Sequence, residues 1–596
     1  VDSKMQTNIC DLVRKNEQDY ITGKTTISKY VDWSLKDNVE TIDAYLNSKH
    51  TSGLTDSQGR EKPFFNIVTA ASNVWYRATD IDRKDIRVKP TKRKDTVEAF
   101  LATIHLQAWM RKVNFGQFLN DWGRVLARYG TAVSKFVTID GVLYPMVIPW
   151  NRLIVDSVDI LSNPIIEVLE LTPAQLKSRV GYDQDMVNSL LDATTARQTL
   201  DRNRKDNKDG YIKLYEIHGE LPLSYLTGKE SDERTFVQQM HVVSFVESKE
   251  KGEYDDFTLA SGKEKNPYEV TDLIKEDGRS MAIGAVEHLF EAQWMMNHTT
   301  KAIKDQLDLA SKLVYQTADA NFIGQNVLSA VENGDILIHN VNQPLTQLNN
   351  TSHDITSLQN FGNQWKSLGN EIVGISDSML GNNPPSGTAW RQTEALLQEN
   401  HSLFEIMTEN KGLSLESIMR THIIPHIKSK MDTKEEIVMT LSDYDISKIE
   451  SSYIKNQAIR ESNRMIKEQV LNGKIAQQPN LEGIKTKLQE DLKEQGDYRF
   501  FKPSEIDDKT WKEVFKDLEM DVEVEITGES SNKQANLTSL NTLFTTLTNL
   551  QGRPMTPEQK LVFGEILTST GTISPVQIAS LESQPQPQQP NPIGGV

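Results

Sequence analysis

The chain has 596 residues, 37% of them hydrophobic, a mean hydropathy of −0.50 and a formal net charge of −17. That charge argues against a protein that grips nucleic acid over a broad basic face. The single cysteine, Cys10, excludes an intrachain disulfide and favours a cytosolic over a secreted origin. The length allows about four units at the usual ~150 residues per domain. No apolar run approaches the ~20 residues that a bilayer requires, so no membrane partner is expected. Val1-Asp2-Ser3-Lys4 has no apolar signal core, and the missing Met points to a start outside this numbering. An acidic wall repels phosphate, so a conduit for a polyanion stays compatible with the charge; solubility is the plainer explanation.

Residues 1–60 mix helical patterns with loops. Ile27, Tyr30, Val31 and Leu35 recur near helical spacing, as do Val39, Ile42, Ala44, Tyr45 and Leu46. His50 to Lys62 is a polar loop. Phe64 to Tyr76 and Val97 to Tyr129 read as helices, the second ended by Gly130. Ala132 to Phe136, Val142 to Ile148 and Leu153 to Val155 read as strands, as do Tyr211 to Glu220, Thr235 to Val246 and Phe257 to Ala260. Together these predict an α+β domain over about 60–275.

Gly278 to Gln316 is a long helical pattern carrying Val286, Leu289, Phe290, Trp294, Met295, Ile303 and Leu307. Residues 318–352 interrupt it with Gly324, Asn333-Gly334, a short strand over Asp335 to His339, and Pro344. Asp354 to Val373 is helical again through Leu358, Phe361, Trp365, Leu368 and Ile372, and ends at Gly374. Ile375 to Gly387 then holds Leu380-Gly381-Asn382-Asn383-Pro384-Pro385-Ser386-Gly387, which cannot continue a helix. Thr388 suits a cap, and the run from Thr388 to Ile424 lacks proline until Pro425. It is about 37 residues, or roughly 55 Å at 1.5 Å per residue. A helix of that length exceeds what a compact core needs and suggests an element spanning a larger assembly.

Beyond Pro425, Ile437 to Leu441 reads as a strand, and Ile454 to Leu471 and Leu481 to Leu492 as helices. Val522, Val524 and Ile526 alternate with Glu523 and Glu525 as in a half-buried strand. Leu537 to Leu550, Thr556 to Leu567 and Ser574 to Leu581 are helical. Gln584 to Val596 is Pro/Gln-rich and reads as disordered. The chain has no internal repeat.

The order helix, partly β insertion, helix, Ser378-Met379-Leu380-Gly381, flexible loop and long helix resembles the portal (head–tail connector) proteins of tailed bacteriophages. The resemblance covers about 280–425 well and the upstream α+β stretch only generally; within the family it leans to short-tailed phages of the crAss-like group. It implies a predominantly helical α+β protomer with wing, stem, clip and crown. Residues 1–275 would be the N-terminal region and wing, 276–317 a stem helix, 318–352 the clip and 353–376 the second stem helix. Residues 377–387 would be the tunnel loop, 388–450 the long wing helix and wing strand, 451–583 the C-terminal region with its helical crown, and 584–596 the disordered tail. The implied function is non-enzymatic: a homo-oligomeric ring, by resemblance of 12 copies, through which double-stranded DNA is packaged, retained and ejected. Asn382, Asn383, Pro384, Pro385, Ser386 and Gly387 would line the channel. Asn333, Gly334, Asp335, Ile336, Leu337 and Ile338 would form the clip that docks the terminase large subunit and later adaptor or tail proteins. The implied place is the capsid portal vertex of the virion beside the major capsid protein, after assembly in the host cytoplasm. A helical scaffold or interaction protein sharing this order, and an enzyme with a dispersed active site, are the other classes.

The motifs outside that order are weak. Gly23-Lys24-Thr25-Thr26 looks like the end of a phosphate loop, but Gln18 stands where the first glycine belongs. His422 and His426 lack further metal ligands, with Pro425 between them, and Glu287, His288 and Glu291 lack the Glu-x-x-His spacing of di-iron sites. No metal, cofactor or catalytic residue is therefore expected. Asp255-Asp256 and Asp443/Asp445 read as surface-loop acids. Arg83, Lys84, Arg87, Lys89, Lys92, Arg93 and Lys94 are seven positives within twelve residues, with Asp85 the one acid. A solvated loop explains this run, or phosphate contact with DNA, or an intersubunit salt-bridge surface. Trp294, Trp365 and Trp390, on the three central helices, read as core residues, with a subunit interface as the alternative.

Overall fold

The first helix, α1 (Ser3–Thr22), buries Ile9, Cys10 and Val13 against a sheet formed by residues far along the chain. The computed structural model describes residues 3–29, 31–57, 59–81, 86–90, 105–200, 210–247, 253–310, 315–318, 340–344, 346–347, 355–376, 379–380, 390–431, 437–440, 443–472, 479–494, 498–501 and 520–524. They fall into two units. One comprises 1–80, 120–137 and 145–411; the other 81–119, 138–144 and 412–596. Helices and several separate sheets share the chain, so the α+β class holds.

After α1 comes a hairpin of β1 (Thr25–Ser28) and β2 (Val31–Trp33). The spacing of Ile27, Val31 and Leu35 had pointed to a helix; the β-branched run Thr25-Thr26-Ile27 prefers the extended form instead. Ser34 caps α2 (Leu35–Leu46), its hydroxyl accepting from the Asp37 N–H. Helix α3 (Val68–Ala78) starts later than the pattern predicts. Residues 64–67 stay out of it because the N–H groups of Phe65 and Ile67 donate to the side chains of Asn297 and Gln293. Strand β3 (Ile86–Pro90) follows, then α4 (residues 105–112) and α5 (Phe115–Tyr129). The predicted single helix over 97–129 is thus broken at Asn114, whose left-handed φ of 53° a helix cannot hold.

Strands β4 (Thr131–Ile139), β5 (Val142–Ile148), β6 (Leu153–Ile154) and β7 (Ile165–Leu171) precede α6 (Pro173–Ser178) and α7 (Gln184–Leu200). The short helix α8 (Ser224–Thr227) separates β8 (Ile212–Pro222) from β9 (Phe236–Glu247), and β10 (Tyr254–Lys263) and β11 (Tyr268–Asp272) complete the β-rich region. Asp255 and Asp256 lie in β10, not in a loop, and Arg14 bonds Asp256 at 2.6 Å. Five strands form one antiparallel sheet of order β10-β9-β8-β7-β6. Alternation sends Tyr215, Ile217 and Val243 to one face against α1, and Ile212, Leu214 and Val242 to the other against Leu176, Val187 and Leu190 of α6 and α7. A sheet covered on both faces explains why its strands carry apolar residues at odd and even positions alike.

Helices α9 (Ala285–His288) and α10 (Phe290–Ala310) replace the longer helix predicted over 278–316. Tyr315–Gln316 is instead β12, paired with β13 (Thr346–Gln347). Helix α11 (Ile355–Ile372) matches its prediction, and α12 (Trp390–Ile418) begins the long helix. That helix does not stop at Pro425. A π-helical segment, Met419–Ile423, leads directly into α13 (Ile424–Met431), and the Ile424 N–H reaches back five residues to the Met419 carbonyl. The extra residue in that turn makes room for the proline ring, which would otherwise strike a carbonyl four residues earlier. The division between the two units falls within α12.

The second unit also holds β14 (Ile437–Thr440), α14 (Asp443–Leu471), α15 (Leu481–Glu494), β15 (Tyr498–Phe501) and β16 (Met520–Val524). Here β14 pairs with β15 and β16 with β3, both antiparallel. The predicted helices past 526 and the Pro/Gln-rich tail lie outside the described residues. Among the described residues, no helix is long and apolar enough to cross a membrane.

Candidate functional site

Helices α10 and α11 pack along their length as an antiparallel hairpin. Two glycines one heptad apart make this possible. A Cβ on Gly362 would sit 3.3 Å from Thr299 Cγ2, and one on Gly369 would sit 3.0 Å from Leu289 Cδ2 and 3.1 Å from Ala292 Cβ. The glycine face of α11 therefore seats directly on Leu289, Ala292, Met296 and Thr299. Gly374, with φ of 66°, ends the helix; the Ile375 N–H turns back to the Asn370 carbonyl, and the Gly374 N–H to Glu371. The Trp75 indole donates to the Val373 carbonyl at 3.0 Å, and Val373 is fully buried. The point from which residues 377–389 depart is thus held by a buried bond.

The rest of α11 is divided by chemistry. Phe361, Trp365, Leu368 and Ile372 follow i, i+4, i+7 and i+11 spacing and form one stripe beside the glycine face. Phe361 and Leu368 are each 44% exposed and Ile372 is 60% exposed, while Trp365 is half-buried. Asn360, Asn363, Gln364, Ser367 and Asn370 occupy the opposite side, where Lys366 and Glu371 are the helix's two charges. A groove of about 550 Å³ runs along Asn363, Ser367, Asn370, Gly374 and Ser376. On α10, Trp294 is 53% exposed and stacks on His298. Trp294 is therefore not a core residue, contrary to expectation: it lies on the side of α10 away from α11.

The predicted channel-lining residues Asn382, Asn383, Pro384, Pro385, Ser386 and Gly387 lie outside the described residues, as do Asn333, Gly334, Asp335, Ile336, Leu337 and Ile338 of the predicted clip. So do Arg83, Lys84, Lys92, Arg93 and Lys94 of the basic run. Arg87 is described, and with Lys89 it belongs to strand β3, not to a loop. Trp390 opens α12. Met379 and Leu380 form a turn on the Ser376 carbonyl.

A buried charged network that the sequence did not reveal lies elsewhere. Lys135 on β4 donates to Glu167 of β7 at 2.6 Å and to Glu216 of β8 at 2.8 Å, tying the three-stranded sheet β11-β4-β5 to the five-stranded one. Tyr268 donates to Glu167 at 3.0 Å, and His218 Nε2 to Glu216 at 2.7 Å. Burial disfavours the Glu216 charge, but the His218 bond and the Lys135 ammonium outweigh it and hold the carboxyl down at about 2. Burial and the nearby Glu167 push the Tyr268 hydroxyl well above its usual range. His241 donates from Nε2 to Gln239, and burial, reinforced by His218, lowers it to about 4. One ammonium shared by carboxylates from two strands of the five-stranded sheet suits a cross-link between sheets.

Other titratable residues are likewise held structurally. Arg279 grips Glu287 through two 2.7 Å bonds, and Asn38 donates to the same carboxylate. His426 Nε2 accepts from the Leu143 N–H. Lys411 of α12 is buried, donates to the Thr79 carbonyl at 2.7 Å and lies over the Trp122 ring; burial lowers its amine to about 8. Neither a known protein-family model nor a curated protein matches the sequence.

Proposed function

We propose that this chain is a portal protein, a non-enzymatic subunit of a ring-shaped DNA channel at one vertex of a tailed-phage capsid. The observation that carries the reading is the α10–α11 hairpin, on which Phe361, Leu368 and Ile372 are exposed in one stripe with the half-buried Trp365, a surface that a neighbouring copy would cover. A lone hairpin has no use for a stripe with three exposed apolar side chains, whereas each copy of a ring would cover it with its neighbour. The amide- and hydroxyl-rich side of α11, with one positive and one negative charge, suits a wall past which a polyanion slides without binding. Chain order supports the same reading: the hairpin is followed by residues 377–389 and then the long helix from Trp390.

In this reading the β-rich region before 275 is the wing, α10 and α11 are the stem, and 318–352 is the clip. Asn382 to Gly387 form the tunnel loop, and the C-terminal helices the crown. Terminase, adaptor or tail proteins and the major capsid protein are the partners, twelve is the ring number, and the virion vertex is the location. Negative-stain electron microscopy with mass photometry tests it. Rings with a central hole are expected, and Phe361→Ser/Leu368→Ser/Ile372→Ser should yield folded monomers. A wild-type chain that stays monomeric at high micromolar concentration would remove the proposal in favour of a helical scaffold.

A further inference from the structure

Trp75 of α3 joins three other helices at one point. Its indole donates to the Val373 carbonyl at the end of α11, its ring meets Phe404 of α12 edge-on at 6.3 Å, and the His288 ring of α9 lies 5.9 Å away. One turn further on, α3 ends at Thr79, whose N–H and hydroxyl both donate to the Trp75 carbonyl. The Thr79 carbonyl in turn accepts from the Lys411 amine of α12 at 2.7 Å. Helix α3 thus holds α12 at Phe404 and, about two turns on, at Lys411, and holds α11 at Val373. In the chain, α11 and α12 flank residues 377–389. Lys411 is an odd choice for stability alone. It is 1% exposed, and burial lowers its amine to about 8 against the pull of Asp80. The Trp122 ring faces the amine at 5.3 Å, and Gly123 leaves room for it: a Cβ there would lie 3.0 Å from the amine nitrogen and 3.2 Å from the Tyr76 ring. A methionine would fill the same space without taking a charge out of water. Around the amine, the Tyr76 hydroxyl donates to Asn120, and Asp121 and Arg124 of α5 pair with each other at 3.5 Å. Burial raises Tyr76 and lowers His288, so neither titrates between pH 7 and 9.

We propose that α3 is a strut coupling α12 to the end of α11, with the charged Lys411 amine as its latch on the Thr79 carbonyl. An ammonium at the carbonyl end of a helix is favoured by the helix dipole as well as by the bond itself. Seated there, it fixes the last turn of α3 and, through the two Thr79–Trp75 bonds, the indole that holds Val373. When the amine loses its proton the bond weakens and the last turn loosens. The Gly374 and Ile375 N–H groups, which close the end of α11 on Glu371 and Asn370, are then released more often. Global stability responds with the opposite sign. Lys411 keeps its proton up to 10.5 when unfolded but only to about 8 when folded, so between those values the unfolded chain holds the extra proton and stability rises with pH. A charge that costs the fold stability while holding a helix end serves the coupling and not the fold. The coupling acts within one chain, whether or not rings form.

Hydrogen exchange on the full chain at pH 7 and pH 9, read by mass spectrometry with fragmentation to single amides and expressed as protection factors, tests this in the wild type without any substitution. Protection of the Gly374 and Ile375 N–H groups should fall about tenfold, the usual difference between a charged and a neutral donor. Lys411→Met should show the low value at both pH values. The urea midpoint of the wild type, taken relative to Lys411→Met, should rise from pH 7 to pH 9. Trp75→Phe lacks the indole donor and should lose protection at the same two amides together with its dependence on pH. Wild-type protection at Gly374 and Ile375 that does not change with pH overturns the proposal. A pH dependence that survives Trp75→Phe does so too, because the strut would then carry nothing. Protection and relative urea midpoint moving in the same direction would make Lys411 an anchor of the fold alone and equally overturn the coupling.

Discussion

Lys135 has two carboxylates within hydrogen-bond reach and almost no water. Replacing it with Met would leave Glu167 and Glu216 buried without their cation, a loss of about 3–5 kcal/mol for breaking a buried ion pair from one side. Urea denaturation of Lys135→Met against Lys135→Met/Glu167→Gln/Glu216→Gln checks this; the triple variant should regain part of the loss. The histidine beside the network gives a pH dependence. His241 takes up a proton near 6.5 when unfolded but only near 4 when folded, so the unfolded state gains protons first as pH falls. Stability should be constant above pH 6.5 from this source and fall between 6.5 and 4. Glu216, depressed from 4.5 to about 2, adds a second loss across that lower window. Denaturation midpoints measured from pH 7.5 to 3 should show both, and His241→Gln should flatten the upper one. None of these partners was legible in the sequence. Lys135, Glu167 and Glu216 sit on three strands far apart in the chain, and the inward Glu167 also disrupts the apolar pattern of β7, a strand the sequence reading missed.

The elements themselves were more legible wherever one face repeats. The strands β4, β5, β8 and β9 and the helices α11 and α15 stand close to their predicted positions, because period-2 and period-3.6 patterns survive whatever the tertiary partners are. Misreadings arose where a remote side chain or a local φ decided the outcome: Gln293 and Asn297 delaying α3, Asn114 breaking the helix before α5. Pro425 misled differently, since a π-turn absorbs it. The hairpin offers a contrast between two substitutions. Gly369→Leu should cost about 1–3 kcal/mol by forcing α11 off Leu289 and Ala292. Phe361→Ser, on the exposed stripe, should change monomer stability by less than about 0.5 kcal/mol. Thermal melts of both variants at a concentration too low for assembly decide whether the glycine face and the stripe have these separate roles.

For the molecule as a whole, the sequence offered order along the chain and the structure adds which faces are left uncovered. The stripe on α11 was hidden in the sequence because Phe361, Leu368 and Ile372 look like core residues until the Gly362–Gly369 contact shows which side α10 occupies. If the chain assembles as a portal, deleting Asn382 to Ser386 should leave rings intact, because Trp75 already fixes the end of α11 and does not depend on the loop. Full-length genome retention should fail, measured as the DNA length held by particles carrying the deletion. Normal rings with full genomes would defeat the channel role, and absent rings would make the segment a structural turn. The two glycines also restrict how the hairpin can move. They are notches seven residues apart, and a slide of α11 along α10 would drive a larger side chain into places where even a Cβ would lie only 3.0 Å from Leu289 or 3.3 Å from Thr299. The hairpin therefore behaves as a key in a lock: even a shift by a full heptad would leave one glycine in a notch and bring Ile355 or Ser376 to the other close contact, so only the observed register seats both.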